Sequence, residues 1–184
     1  MQTYIILVWQ LLLCVTLTIC KLGPPGGPLK MTHDVIDPLK VFQNFQYVVA
    51  VVDSDNDAIY ECMSANRTAF DPEQKTVTFT WNLQEAGSPP REPEALYQRV
   101  GDDPETLIFW TDADPTPKEG KFYYTDYYSC VVLDMEYSGH QCVLWVPIDL
   151  VGPISRQCID HYEDACGIPV PAHPRQFCGD INLK

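Results

Sequence analysis

Between residues 76 and 83 the chain alternates without a break: Val77, Phe79, Trp81 and Leu83 fall on one side, and Thr76, Thr78, Thr80 and Asn82 on the other. A period of two marks a strand with one face buried. Short runs rich in β-branched and aromatic residues recur on either side of it, at 47–53 (dense in valine), 59–65 (with Cys62), 94–100, 106–111, 121–128, 130–136 and 141–147. Turn-forming residues separate these runs, and the last two read as a hairpin around Ser138-Gly139. Eight strands in succession with no long helix between them predict an antiparallel barrel or sandwich.

The period changes outside this block. Residues 34–45 hold a short helix with Asp37 as N-cap and Pro38 at the first helical position. Residues 154–166 read as a second helix, stopped by Gly167. The Gly/Pro-rich stretch KLGPPGGPL places a flexible N-terminus at 21–33. No internal repeat or linker divides residues 34–184, which are expected to form one domain.

The first twenty residues carry no charged side chain, and 5–19 is almost wholly apolar. That run is too short for a membrane span, which needs roughly 20 apolar residues. It suits a secretory signal peptide over 1–20, with a signal anchor as the competing reading and an unusual lack of basic residues at the start. Export leaves six cysteines in the mature chain: Cys62, Cys130, Cys142, Cys158, Cys166 and Cys178. An even number in an exported chain reads as a disulfide framework, and no C-x-x-C pair suggests zinc. Cys158 and Cys166 lie eight residues apart, about 12 Å along one helix, so they cannot bond each other. Cys130 and Cys142 stand on opposite arms of the hairpin and out of register. The economical solution pins the helix to the hairpin through Cys130–Cys158 and Cys142–Cys166, leaving Cys62 for Cys178. It requires both hairpin cysteines on one sheet face, hence a turn of odd length or a bulge. Geometry narrows the roughly 15 pairings of six cysteines without fixing one.

The net charge is −13. Such an acid excess argues against nucleic acid and anionic membrane as partners. It favours cationic small molecules at long range, or serves solubility alone. The four histidines, His33, His140, His161 and His173, are scattered and suggest no metal centre or cofactor. Ser155, Asp160 and His161 lack any activating motif. Asp53, Asp55 and Asp57 lack the glycine and glutamate of a calcium loop. The chain is therefore expected to be a binding protein and not an enzyme. Asn66-Arg67-Thr68 is an N-glycosylation sequon.

The stretches ECMSANRTAFDPEQKTVTFTW, TDYYSCVVLDMEYSGHQCVLWV and CIDHYEDACG resemble the histamine-binding lipocalins of tick saliva over nearly the whole mature chain. The spacing of Cys62, Cys130, Cys158 and Cys178, with Leu144-Trp145, carries the likeness. The resemblance implies an eight-stranded barrel closed at one end, a C-terminal helix packed outside, and the same three disulfides. It further implies a secreted salivary monomer that sequesters host mediators of inflammation or haemostasis. Binding a host complement or clotting protein through the outer surface is the rival role.

One departure matters. Amine-binding members carry acidic residues directly after the cysteine matching Cys130 and directly before the Leu-Trp pair; this chain has Val131 and Val143. A buried ammonium without a paired charge is costly. The expected cavity lining is Phe79, Trp81, Phe109, Tyr124, Val131, Val143 and Trp145. Such a wall suits a fatty acid, leukotriene or thromboxane better than histamine or serotonin, unless Asp126 or Glu119 supplies the missing charge.

Overall fold

The computed structural model describes residues 29–54, 62–82, 91–137, 139–152 and 154–172. The expected signal peptide, the first part of the N-terminal segment, Cys178 and His173 lie outside the described residues. Strands β1 (Tyr47–Asp53), β2 (Ser64–Asp71), β3 (Thr76–Asn82), β4 (Glu94–Val100), β5 (Thr106–Thr111), β6 (Lys118–Thr125), β7 (Val131–Glu136) and β8 (His140–Pro147) pair in sequence order, every pair antiparallel. β1 pairs with both β8 and β2, so the sheet closes into an eight-stranded barrel, with the short β9 (Val170–Pro171) added beside β1. Closure leaves no free edge among the eight.

The second strand falls later in the chain than the apolar pattern places it. Cys62 sits in a left-handed turn ahead of β2 (φ 56°), its N–H donating to the Ala172 carbonyl at 2.9 Å. The strand instead runs through the polar stretch to Asp71, because its backbone pairs with β3 as far as Asp71↔Thr76. Asp71 closes that hairpin by accepting from the N–H groups of Glu73 and Gln74, a turn chemistry that composition alone does not display. β6 likewise begins at Lys118 and ends at Thr125, earlier than its aromatic run.

Helix α1 (Pro38–Asn44) forms where its cap predicts: the Asp37 carboxylate accepts from the Leu39 N–H at 2.9 Å, with proline in the first turn. Its Val41 and Phe42, with Phe45 just beyond, are buried against the barrel interior and plug one end. Helix α2 (Arg156–Cys166) buries Cys158, His161, Tyr162, Ala165 and Cys166, the spacing of one helical face. Gly167 ends it with φ 91°, its N–H returning to the Glu163 carbonyl.

α2 lies on the outside of β6, β7 and β8, over a second apolar cluster that includes Val49, Val132, Leu144 and Val146. Two apolar faces explain why the valines of β1 are buried on both sides. The strap is covalent: Cys130 bonds Cys158 and Cys142 bonds Cys166, with Cα separations of 6.3 and 5.9 Å. Asp134 pairs with Cys142 and Glu136 with His140, so an odd number of residues separates the two strands. Cys130 and Cys142 therefore share a face four residues apart in register, about 13 Å on a strand. That matches the ~12 Å between Cys158 and Cys166 on the helix. Cys62 is also disulfide-bonded, while its expected partner Cys178 lies outside the described residues. The segment expected to be flexible is tied at its end, where Asp164 of α2 accepts from the N–H groups of Lys30 and Met31.

Candidate functional site

Alternation sets one side chain in two facing the barrel axis, and most of the inward set is apolar. Near α1 these side chains leave a cavity of about 60 Å³. Phe79, Trp81, Val131 and Trp145 line it, joined by Phe42 from the plug and Met135 from β7. Gln98 is its polar side chain among the described residues, itself buried. A water needs ~15 Å³ on this measure and ~30 Å³ of liquid volume, so the space holds roughly four waters. That is the bulk of a small ring, well below the ~300 Å³ of a drug-sized pocket.

The strand ends away from α1 form the mouth. There Glu94 opens β4 opposite Trp81, in line with the inward Leu96 and Gln98. Glu94, Phe109, Thr111, Asp114, Lys118 and Tyr137 surround a second space of about 230 Å³. The Trp81 and Tyr137 rings meet edge to face at 5.2 Å and stand between the two spaces. Lys118 is already neutralised by Asp114 at 2.7 Å. The Lys118 hydrogen bond, with help from Thr116, holds the Asp114 carboxyl at about 2. Among the described residues Glu94 makes no such close ion pair, although the Arg91 charge reaches its partner Tyr137. The Glu94 Oε2 accepts from the Tyr137 hydroxyl at 3.4 Å, and its Oε1 is buried with no hydrogen-bond partner among the described residues. Burial first, and the Glu94 charge second, push the Tyr137 phenol up, so that it stays a donor.

The remaining expected site residues divide. Phe109 faces inward but lines the mouth instead of the inner cavity. Val143 is packed into the inner cluster without lining either space. Tyr124 lies outside the barrel: a register shift between Phe122 and Tyr124 pairs it with the outward Val132 and turns it beneath α2. There its ring stacks on His161 at 3.7 Å and 6°. The two proposed substitutes for the missing carboxylates do not reach the interior. Asp126 is exposed and caps the β6–β7 turn, accepting from the N–H groups of Tyr128, Ser129 and Cys130. Glu119 is exposed on the outer face of β6. Glu94 is the carboxylate that the sequence reading missed. Its signal was the alternation Glu94, Leu96, Gln98, once the direction of Leu96 is known.

Other sequence constellations are dispersed. Asp160 pairs with Arg156 at 2.8 Å, whereas His161 is buried against the barrel and Ser155 only begins the helix. Asp53 is buried at the end of β1; Asp55 and Asp57 lie outside the described residues. The Asn66 side chain is exposed on β2.

A barrel with an apolar interior, a helical plug and a disulfide-strapped outer helix agrees with the comparison that decides the family: the family profile described as tick histamine binding protein matches residues 28–173. The chain belongs to that family. Its members are small-ligand-binding lipocalins. No curated protein matches the chain by sequence. Among solved structures, AM182 in its serotonin complex is similar at 14% identity and a TM-score of 0.59, covering 78% of this chain and 95% of that one. Lobster apocrustacyanin A1 is similar at 12% identity and 0.56, covering 85% and 93%. The cockroach allergen Per a 4 is similar at 13% identity and 0.50, covering 85% and 98%. At these identities the likeness concerns the lipocalin fold.

Proposed function

We propose that this lipocalin captures a small aromatic amine, with the ring in the apolar cavity and the ammonium against Glu94 at the mouth. The carrying observation is the buried Glu94 Oε1, which has no hydrogen-bond partner among the described residues. A buried carboxylate oxygen left unpaired in the free protein is costly, and a cationic ligand satisfies it. At the mouth Asp114 and Lys118 neutralise each other, which leaves Glu94 as the remaining carboxylate of the lining, with the Arg91 charge nearby. Size agrees, because a twenty-carbon acid would have to force the cavity open. The apolar wall, with valine at 131 and 143, is what recommends a lipid, and an acyl head group would then meet Glu94 and repel it.

In this reading the protein is secreted into saliva, carries a glycan on the exposed Asn66, and lowers the free concentration of a host mediator without turnover. Titration calorimetry with serotonin, histamine, arachidonate and a leukotriene decides the class. Serotonin or histamine binding well above the lipids is expected. Lipid binding without amine binding, or a stable complex with a complement or clotting protein and an empty barrel, would replace the reading. AM182, similar in fold, is solved with serotonin.

A further inference from the structure

Outside the barrel, between α2, the β6–β7 turn and residues 32–36, lies a space of about 520 Å³. Two histidines 128 positions apart in sequence border it, His33 and His161. Their rings stand edge to face with centroids 6.2 Å apart. His161 is only 5% exposed, lines the space, and makes no hydrogen bond among the described residues. One of its faces is covered by Tyr124, so only its edge is open to the space. His33 is oriented from behind. Its Nδ1 lies 2.8 Å from the Asp34 carbonyl and 3.6 Å from Glu105 Oε1, and Glu105 is itself fixed by the Ile36 N–H at 3.0 Å. A carbonyl acceptor at Nδ1 places the proton there and leaves the Nε2 lone pair free. That is the outer-shell arrangement of metal-ligating imidazoles: one nitrogen held by a carbonyl or carboxylate, the other available.

We propose that His33 and His161 form a surface site for a divalent transition metal, such as Zn²⁺ or Cu²⁺, with Asp34 at the border of the same space and water completing the shell. Imidazole and carboxylate ligands suit these ions. With metal–nitrogen bonds of about 2.1 Å, two rings sharing a tetrahedral ion have centroids about 5.2 Å apart. The rings must therefore approach by about 1 Å. His33 can supply that movement because it lies on a segment with neither helix nor strand. The site is separate from the barrel interior and does not depend on which ligand the barrel takes.

The test uses tag-free mature protein and Zn²⁺ alone. Calorimetry should show one ion per chain. In proton NMR the His33 and His161 ring signals should move, while those of His140 and His173 stay. His33→Ala, on a side chain outside helix and strand and partly exposed, should weaken Zn²⁺ at least tenfold. Glu105→Gln, which keeps an acceptor but removes the charge behind His33, should weaken it by about tenfold or more. His161→Ala removes a buried ring, so the two milder variants carry the decision. Absence of Zn²⁺ binding, or binding that survives His33→Ala or moves His140 instead, overturns the site.

Discussion

Replacing Glu94 by glutamine removes one charge and almost no volume. If an ammonium rests against the Oε1 of Glu94, unit charges about 4 Å apart attract by about 4 kcal/mol at an effective dielectric constant of 20. Two effects reduce the loss. Glutamine still presents a carbonyl oxygen to the ligand, and the mouth is wet and screened by salt. A charge-assisted hydrogen bond in such a setting contributes about 1.5–3 kcal/mol, so Glu94→Gln should weaken serotonin or histamine roughly 10- to 100-fold. The fold should not suffer, because the oxygen being neutralised is buried with no hydrogen-bond partner among the described residues. The variant's melting temperature is expected to equal or exceed that of the parent. Arachidonate, if it binds at all, should gain from the lost repulsion. Calorimetry on both proteins, with a thermal melt as control, separates these effects. A folded Glu94→Gln protein that binds amines within twofold of the parent would show that the ammonium lies elsewhere.

Three further outcomes are expected. Val131→Asp, which puts an unpaired carboxylate where the ring is proposed to sit, should lower amine affinity at least tenfold (about 1.4 kcal/mol) and lower the melting temperature, as read by paired calorimetry and melts. Opening either helix strap by paired Cys→Ala changes, across 28 residues for Cys130–Cys158 or 24 for Cys142–Cys166, should cost about 3.5 kcal/mol on the chain-entropy account, read as a lower urea midpoint. For Asp126, burial pushes the carboxyl up, but the hydrogen bonds from Ser129, Tyr128 and Cys130 outweigh it, and the net direction is down. A lowered folded-state pKa adds stability that is complete above the unfolded carboxylate range and fades as pH falls through the folded value. Asp126→Ala should therefore cost about 1 kcal/mol at pH 7, kept small by exposure, and less in acid, as read by urea melts across the range.

The fold was legible because its devices are periodic. The alternation of β3, the Asp37-Pro38 cap, the one-faced α2 and the glycine stop each rest on local chemistry. The two helix-to-hairpin disulfides were the economical pairing once rises of about 1.5 Å on a helix and about 3.3 Å on a strand excluded Cys158–Cys166 and Cys130–Cys142. The site was less legible because inward and outward are relative to a register that one irregular residue reverses. Up to Phe122 the β6 alternation points correctly, and the shift before Tyr124 reverses it, carrying an aromatic residue from the expected wall to the outer helix. β2 failed for a different reason: its polar residues face solvent on one side, and only the long-range pairing with β3 makes them a strand.

The same dependence on register bears on the proposed amine reading, in which a barrel with valine at 131 and 143 takes its charge from another strand. Val131 opens β7 at the end plugged by α1 and Val143 stands within β8, both in the dry inner cluster where a lone carboxylate would be expensive. Glu94 stands at a strand end, where the 230 Å³ mouth lies beside it and the Tyr137 hydroxyl donates to one oxygen. Moving the charge from wall to mouth lowers its desolvation cost and leaves the interior free to hold the apolar part of a ligand. On the proposed reading, recognition splits along the barrel axis, with shape and apolar contact near α1 and charge at the opposite end. An arrangement of that kind selects for ligands whose ring and ammonium are separated by a short chain. It rejects equally apolar molecules that bring an anionic head to the mouth.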